Sequence, residues 1–476
     1  RHIALPLFNV HSWRMRVNAD KQNVFFDPDL IRRYDRAGPR YTSYPTAVQF
    51  HEGFGEAEYR AAAVRSNAEG RALSLYFHLP FCNTVCYYCA CNKIVTKDRS
   101  RAAPYLQRLH REIAMQGELF DAGRKVEQLH WGGGTPTFIS HAEMGELMEV
   151  TGRHFELIED GEYSIEIDPR EVDGGTIGLL RRLGFNRLSL GVQDFDPRVQ
   201  KAVNRIQGEA ETLGVIDAAR GAGFRSISVD LIYGLPHQSV ASFAATVDKV
   251  IAAAPDRLSV FNYAHLPERF KPQRRIASAD LPSAAEKLAI LEDTIGRLTA
   301  AGYVYIGMDH FARPDDELAV AQREGTLYRN FQGYSTHADC DLVAMGVTSI
   351  GMLADTYSQN VRTEPEYFER VDAGRLPVFR GVELSLDDRL RRAVITDLIC
   401  HFRLDYTRIE RAYGIVFADY FEPELQALEA LQIDGLLVLG LDGIVVTPAG
   451  RLLIRNICMT FDAYLATAQG GYSKVI

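Results

Sequence analysis

Residues 73–91 read LSLYFHLPFCNTVCYYCAC. The first six alternate: Leu73, Leu75 and Phe77 fall on one side of an extended chain, Ser74, Tyr76 and His78 on the other. Pro80 then ends the strand, and Cys82, Cys86, Cys89 and Cys91 crowd into the next ten residues or so. Thiolates at this spacing can converge on one soft metal centre. Zinc ribbons pair two distant C-x2-C units and close the site with four ligands. Ferredoxin-type clusters use other spacings. A C-x3-C-x2-C triplet would hold three irons of a cubane and leave the fourth open to a second molecule. Two blander readings compete: a zinc knuckle, and thiols at i, i+4 and i+7 on one helix face. Pro80 and the preceding strand favour a loop, and Cys91 lies off that helical face.

The alternation recurs. Short β-rich runs at 126–131, 163–168, 187–193, 226–232 and 258–263 are separated by longer amphipathic segments. Between the run at 73–78 and that at 126–131, Leu106, Leu109 and Ile113 mark one helical face. Such an order predicts a parallel sheet with right-handed crossovers. Parallel strands covered on both faces are normally apolar throughout. Here Ser164, Glu166 and Asp168, then Ser189, Gly191 and Gln193, then Ser228 and Asp230, all turn the same way as Ser74, Tyr76 and His78. The predicted fold is therefore α/β: a partial (β/α)6 barrel with helices outside and a polar cavity inside. Sites in such barrels sit at the carboxyl ends of the strands, where the cysteine loop follows the first strand.

Beyond about residue 380 the pattern changes. Helices at 386–402 and 406–413, a hairpin of 436–439 with 444–447, and a final helix at 450–463 suggest a smaller, mostly helical, winged-helix-like C-terminal domain. The expected division is an extension at 1–30, a segment near the site at 31–70, a catalytic barrel at 71–380 and the C-terminal domain at 381–476.

Composition narrows the function. A net charge of −9 gives no general drive toward nucleic acid, so the winged module is not expected to bind DNA. No run of eighteen apolar residues exists to span a membrane. Seven cysteines, an odd number clustered near one end, do not read as a secreted disulfide framework and point to a reducing cytoplasm. Arg1 opens the sequence within a short basic stretch, from which an upstream extension is expected, with Met15 as the candidate start.

Several motifs fit a ligand cavity. Gly132-Gly133-Gly134-Thr135-Pro136-Thr137 follows the second strand without the Lys-Ser/Thr of a phosphate loop; its bare backbone either receives a ligand or makes a tight turn. Asp168-Pro169-Arg170-Glu171 reads as a capped helix start, which assigns Asp168 mainly to structure. Glu166 has no such local role and suits a ribose hydroxyl or an amine. Gln193 and Asp230 hold equivalent places on later strands. His78 is as well explained by structure as by function. The segment 38–46, GPRYTSYPT, is either packing or the lining of a mouth, with Arg40 available to a carboxylate.

These residues resemble the radical S-adenosylmethionine enzymes, specifically the bacterial oxygen-independent coproporphyrinogen III oxidases. The likeness runs from about Leu30 to the C-terminus and includes GPRYTSYPT, LYFHLPFCNTVCYYCACNKIVT, LHWGGGTPT, SIEIDPRE, LSLGVQDF, VDLIYGLP, FNYAHLP, RNFQGYST and RLLIRNICM. Cys91 separates it from the related haem-carrier branch, which is the main rival reading; a zinc-stabilised structural or DNA-binding protein is the distant one. The resemblance implies that Cys82, Cys86 and Cys89 hold a [4Fe–4S] cluster whose open iron takes S-adenosylmethionine. It also implies a second S-adenosylmethionine. Tyr76, Gly133, Glu166 and Ile350 would serve the first; Tyr88, Gly134, Thr135, Gln193, Arg205, Asp230 and Ala264 the second. Phe331 and Gln332 lie in the same matched region. Tyr76 and Cys91 are the catalytic candidates, Cys91 as hydrogen donor or structural residue rather than ligand. A 5′-deoxyadenosyl radical would take hydrogen from two propionates of coproporphyrinogen III, leaving vinyl groups. Four substrate carboxylates need cations, for which Arg40, Lys93 and Arg313 are candidates. A small electron donor such as flavodoxin or ferredoxin, and a monomeric state, are also implied. Ala90 and the stretch 336–340, THADC, depart from the family's usual wording, so Cys340 carries no catalytic expectation.

Overall fold

Six parallel strands lie side by side in chain order: β1 (Leu73–Leu79), β2 (Lys125–Gly133), β3 (Glu156–Ile167), β4 (Arg187–Gln193), β5 (Ser226–Tyr233) and β6 (Arg257–Asn262). They come from a computed structural model that describes residues 24–465. The expected start at Met15 and most of the 1–30 extension lie outside the described residues. After each strand comes a helix: α1 (Ala102–Gly117), α2 (His141–His154), α3 (Gly174–Arg182), α4 (Glu209–Gly221), α5 (Val240–Ala253) and α6 (Ala284–Ala300). Ser140, Asp173, Ser239 and Ser283 cap α2, α3, α5 and α6, each accepting a backbone N–H from the first turn.

The faces divide as the alternation predicts. Leu73, Leu75 and Phe77 are wholly buried in the core shared with Leu109, Ile113, Trp131, Ile165 and Leu190. Each such side chain contributes roughly 1.5–3 kcal/mol on burial. The opposite face of the same strands lines the barrel interior.

The sheet extends beyond the six strands. Next to β6 stands β8 (His310–Ala312), antiparallel to it, and then β7 (Val304–Gly307) at the edge. Next to β1 stands β9 (Asp341–Met345), parallel, followed by the antiparallel β10 (Ile350–Leu353), β11 (Thr356–Asn360) and β12 (Val378–Glu383). β1 and β6 do not pair, so the barrel is open, and twelve strands form one sheet. Strand β3 starts earlier than the expected residue 163. Leu157 and Glu162 pair with Val126 and Gln128, so residues 158–161 bulge out opposite Glu127.

After β12, helices Leu386–His401, Tyr406–Tyr413 and Glu422–Ile433 surround a three-stranded sheet of Arg403–Asp405, Gly443–Val446 and Leu437–Leu439. The final helix differs from the expected unbroken 450–463. It is split at Leu453 into Pro448–Leu452 and Ile454–Thr460. Arg455, just past the break, is buried and donates to the carbonyls of Pro39 (2.9 Å) and Gly38, tying this helix to the segment 38–46. Ile395, Leu398, Phe402 and Ile457 join the same core as the barrel.

Candidate active site

The cysteine loop leaves the carboxyl end of β1 and is closed at its base by a short parallel pairing of Phe81–Cys82 with Ile94–Val95. Ile94 N–H donates to Pro80 (2.7 Å) and Thr96 N–H to Cys82 (3.0 Å). Its far side is held by Tyr87 N–H to the Val203 carbonyl (2.9 Å) and by the Asn204 amide to the Val85 carbonyl (2.8 Å).

The glycine run after β2 fastens the near side. Gly134 N–H donates to the Leu79 carbonyl at 2.9 Å, Thr135 N–H to Phe81 at 2.7 Å, and the Thr135 hydroxyl to Cys82 Sγ at 3.7 Å. A Cβ on Gly134 would stand 2.7 Å from backbone atoms of Pro80 and Phe81. Gly133 has φ +112°, and a Cβ there would meet the His78 ring at 2.7 Å. These glycines are needed so that two loops can lie against each other, a reason the sequence alone does not supply.

Each of the first three sulfurs has its own environment. Arg170 and Arg205 point guanidinium nitrogens at Cys86 Sγ, at 3.8 and 3.6 Å. Asp168 holds both, at 2.6 Å to Arg170 and 3.1 Å to Arg205. Asp168 does cap the turn at Pro169–Glu171, a single 3-10 turn rather than a helix start. Capping is only half its work, and Arg170 was missed because the capping motif explained it away. Burial pushes the Cys82 thiol up to about 11. The Cys91 thiol donates toward Cys89 and, with Lys93 nearby, drives Cys89 well below the usual thiol range despite burial.

On the interior face, Tyr76 stacks on His130 with centroids 5.8 Å apart. His78 Nε2 lies 3.1 Å from the Asn92 carbonyl and must donate to it, so Nδ1 accepts the Tyr76 hydroxyl at 3.1 Å. Burial lowers the His78 pKa, in keeping with this neutral form. Glu166 accepts Gly133 N–H at 3.2 Å and lies 3.4 Å from His130 Nε2. Burial alone would raise its pKa, but His130, Gly133 and His78 together hold it below the usual value, so Glu166 is a carboxylate. His130 is a residue the sequence reading passed over. It shares the inward face of β2 with Gln128, two residues from Gly132, and the period-two rule applied to that strand would have found it.

Across the cavity, Arg205 Nη2 donates to the Gly191 carbonyl (2.5 Å). Asp230 accepts the Ser189 hydroxyl (3.3 Å), and burial pushes its carboxyl up to about 6. Gln273, also missed, is buried and its amide donates to the carbonyls of Tyr88 (3.0 Å) and Ala264 (3.2 Å), joining two expected cofactor contacts from distant parts of the chain. Tyr76, Phe331 and Ile350 pack on one apolar cluster with Phe50 and Tyr357. Gln193 Oε1, Gln332 Nε2, Arg205 Nε, Asn262 Oδ1 and His310 Nδ1 are buried without a protein partner. Orphaned polar atoms on that scale fit a cavity built for polar ligands.

The cation candidates separate. Lys93 Nζ sits on the cysteine loop, donating to the Cys89 and Cys91 carbonyls at 3.2 and 3.4 Å. Arg40 is paired with Asp309 and lies over the Phe261 ring. Arg313 follows Ala312, which pairs with Arg257 at the amino end of β6. It is at the wrong end of the barrel to meet a substrate beside the cysteine loop. Arg329 was not foreseen: it is buried, with Nε and Nη1 unpartnered.

Residues 76–250 match the Radical SAM superfamily, and residues 384–453 match the HemN C-terminal domain. The chain is 58% identical over 456 residues to the oxygen-independent coproporphyrinogen III oxidase of Pseudomonas aeruginosa, covering 95% of this chain and 99% of that one. It belongs to the oxygen-independent coproporphyrinogen III oxidase family. The Escherichia coli oxidase is 53% identical over 444 residues, covering 93% and 96% of the two chains. A solved structure titled as coproporphyrinogen III oxidase (HemN) from Escherichia coli, a radical SAM enzyme, superposes with a TM-score of 0.90 over 93% of this chain and all of that one, at 52% identity. The radical-SAM barrel and the helical C-terminal domain are thus those of this family. The haem-carrier and zinc-protein readings gain no support.

Proposed function

We propose that the protein converts two propionate side chains of coproporphyrinogen III to vinyl groups without oxygen, giving protoporphyrinogen IX. The observation that carries this is the C-x3-C-x2-C loop, fixed at the carboxyl end of β1 over a barrel interior of unpartnered polar atoms. When bound, a [4Fe–4S] cluster on Cys82, Cys86 and Cys89 together with S-adenosylmethionine supplies the radical that removes hydrogen from a propionate β-carbon. Each propionate radical would then lose carbon dioxide and pass one electron to a one-electron acceptor, leaving the vinyl group.

The chain's own residues bind and orient. Tyr76, Gly133, Glu166 and Ile350 serve the first S-adenosylmethionine, where the Glu166 carboxylate suits a cationic or hydroxyl group. Tyr88, Gly134, Thr135, Gln193, Arg205, Asp230 and Ala264 serve a second, and Phe331 and Gln332 complete the wall. Arg170 and Arg205 place positive charge beside the Cys86 sulfur. Cys91 is not a ligand; it shapes the Cys89 environment or donates hydrogen. Arg329 and Lys93 are the cations offered to substrate carboxylates, in place of Arg313. A flavodoxin- or ferredoxin-like donor would approach at the exposed Cys91 edge of the loop. The protein acts as a cytoplasmic monomer; among the described residues no helix is long and apolar enough to cross a membrane. The test is an anaerobic assay with reductant, S-adenosylmethionine and coproporphyrinogen III. Protoporphyrinogen with carbon dioxide release is expected; tight porphyrin binding without turnover would overturn the proposal.

A further inference from the structure

At the opposite, amino end of the barrel, three donors of different chemistry meet. Glu127, His337 and Cys340 each offer a ligand atom within 4.8 Å of the other two. His337 Nδ1 lies 3.5 Å from Glu127 Oε2, and Cys340 Sγ 3.9 Å from the same oxygen. Around a tetrahedral zinc with bonds of about 2.0 Å to nitrogen and oxygen and about 2.3 Å to sulfur, the corresponding edges are roughly 3.3 and 3.5 Å. Small side-chain shifts would close the difference.

The surroundings are built rather than accidental. Glu127 is the extra residue of a bulge in β2: Val126 pairs with Leu73 and Gln128 with Ser74, leaving Glu127 between them. A bulge re-aims a side chain, here toward the 336–340 turn. The turn itself is pinned at both ends. His337 N–H donates to the Ser335 hydroxyl at 3.1 Å, which also accepts the Gln128 amide at 3.2 Å. Asp341, next to Cys340, is fully buried against Arg124 (3.3 Å). On its other side His337 Nε2 faces Glu162 at 3.8 Å, and Glu162 is itself held by Arg187 and Gln128. A carboxylate behind a metal-bound histidine is the usual outer arrangement. Cys340 is buried, whereas Glu127 and His337 face a cleft of about 440 Å³. Six carboxylates and two guanidinium groups line that cleft, so it attracts cations rather than anions.

We propose that Glu127, His337 and Cys340 form a second metal site, for a divalent cation of the zinc class, with solvent from the cleft in the fourth position. It is separate from the cysteine loop and uses soft sulfur, imidazole and carboxylate, a donor set suited to zinc and not to calcium or magnesium. Binding displaces the Cys340 proton to solvent. The site ties the β2 bulge to the base of the hairpin Tyr328–Asn330 and Gly333–Ser335, whose tip carries Phe331 and Gln332. A metal there would stiffen the wall of the cofactor cavity from below.

The experiment uses the cluster-loaded full chain, equilibrated anaerobically with zinc, desalted and assayed for zinc, iron and sulfide. One zinc per chain in addition to full iron is expected. Cys340→Ala and His337→Ala should each lose that zinc with iron and sulfide unchanged. Chelation should lower the melting temperature of the wild type and leave the variants unmoved. His337 is partly exposed, so its variant remains informative should Cys340→Ala fold poorly. Absence of bound zinc in the wild type, or equal zinc in wild type and variants, would overturn the proposal.

Discussion

The two ends of the same six strands treat charge in opposite ways. At the amino end, charges answer one another: Arg187 bridges Glu162 and Glu317, Arg257 holds Asp316, and Arg124 holds Asp341. At the carboxyl end, buried polar atoms of Gln193, Arg205, Asn262 and His310 stand without protein partners, and two arginines are aimed at a cysteine sulfur. A buried group left unpaired costs on the order of 1–3 kcal/mol. The amino end is organised around ion pairs that hold the barrel, and the carboxyl end leaves polar groups that a ligand can meet.

The largest effect should come from Cys86→Ser. It removes the sulfur that Arg170 and Arg205 address, and iron binding and turnover should both be abolished while the fold persists, as read by iron content and circular dichroism. Retention of full iron would show that the loop's ligands are assigned wrongly. Next is Arg205→Ala. Outer partners of metal ligands typically contribute 10- to 100-fold to metal affinity or activity, and a loss in that range is expected for turnover and for resistance of the iron to chelation. Glu317→Gln, which weakens an amino-end ion pair with a half-exposed partner, should leave turnover within twofold. Equal losses in the two variants would erase the contrast between the ends.

Much of this was legible in the sequence because period-two alternation is a local signal. The six parallel runs and the inward placement of Tyr76, Glu166, Gln193 and Asp230 follow from it. Contacts made between loops were not legible. Gly133 and Gly134 read either as a backbone surface for a ligand or as a tight turn; the close packing of their Cα positions on His78, Pro80 and Phe81 is a further role that no local pattern shows. Asp168 had a complete local explanation, which hid its grip on Arg170 and Arg205. Gln273 lies in a short 3-10 turn far along the chain and bears no pattern that points to Tyr88. Arg313 was misplaced because β8 runs antiparallel to β6, a reversal that carries it to the amino end.

Gly134→Ala tests the loop-packing account. Its Cβ would press on backbone atoms 2.7 Å away, which cannot swing aside like a side-chain tip. Destabilisation of about 1–3 kcal/mol is expected from such crowding, together with faster loss of iron. At Gly152 in α2, by contrast, nothing lies within 4 Å of where a Cβ would stand, so Gly152→Ala should stabilise by about 0.5–1 kcal/mol. Chemical denaturation of both variants decides it. A Gly134→Ala protein of wild-type stability would show that the two loops do not press on each other at this position.

The smallest expected effect lies behind the site, at Glu112 on α1. This fully buried carboxyl accepts the Tyr367 hydroxyl (2.6 Å), Gly346 N–H (2.8 Å) and the Asn360 amide (2.8 Å). Beside it Tyr105 donates to the His78 carbonyl at 2.7 Å and accepts Val347 N–H at 3.0 Å, so the network backs the end of β1. Burial outweighs the three donors and pushes Glu112 up from 4.5 to about 7. Between those values the folded chain keeps a proton that the unfolded chain releases. Its contribution to stability is therefore fully present below pH 4.5, falls as pH rises toward 7, and is constant above. The shift corresponds to about 3 kcal/mol over that window. Asp168 and Glu162, held below their usual values, act in the opposite sense and only at lower pH. The wild type minus Glu112→Gln difference in urea stability isolates the term. It should shrink by about 3 kcal/mol from pH 4.5 to 7. Parallel curves would mean that Glu112 is ionised in the folded protein; the carboxyl end would then hold a fully partnered buried anion directly behind His78, and the division of labour between the two ends would be one of ligands alone rather than of charge.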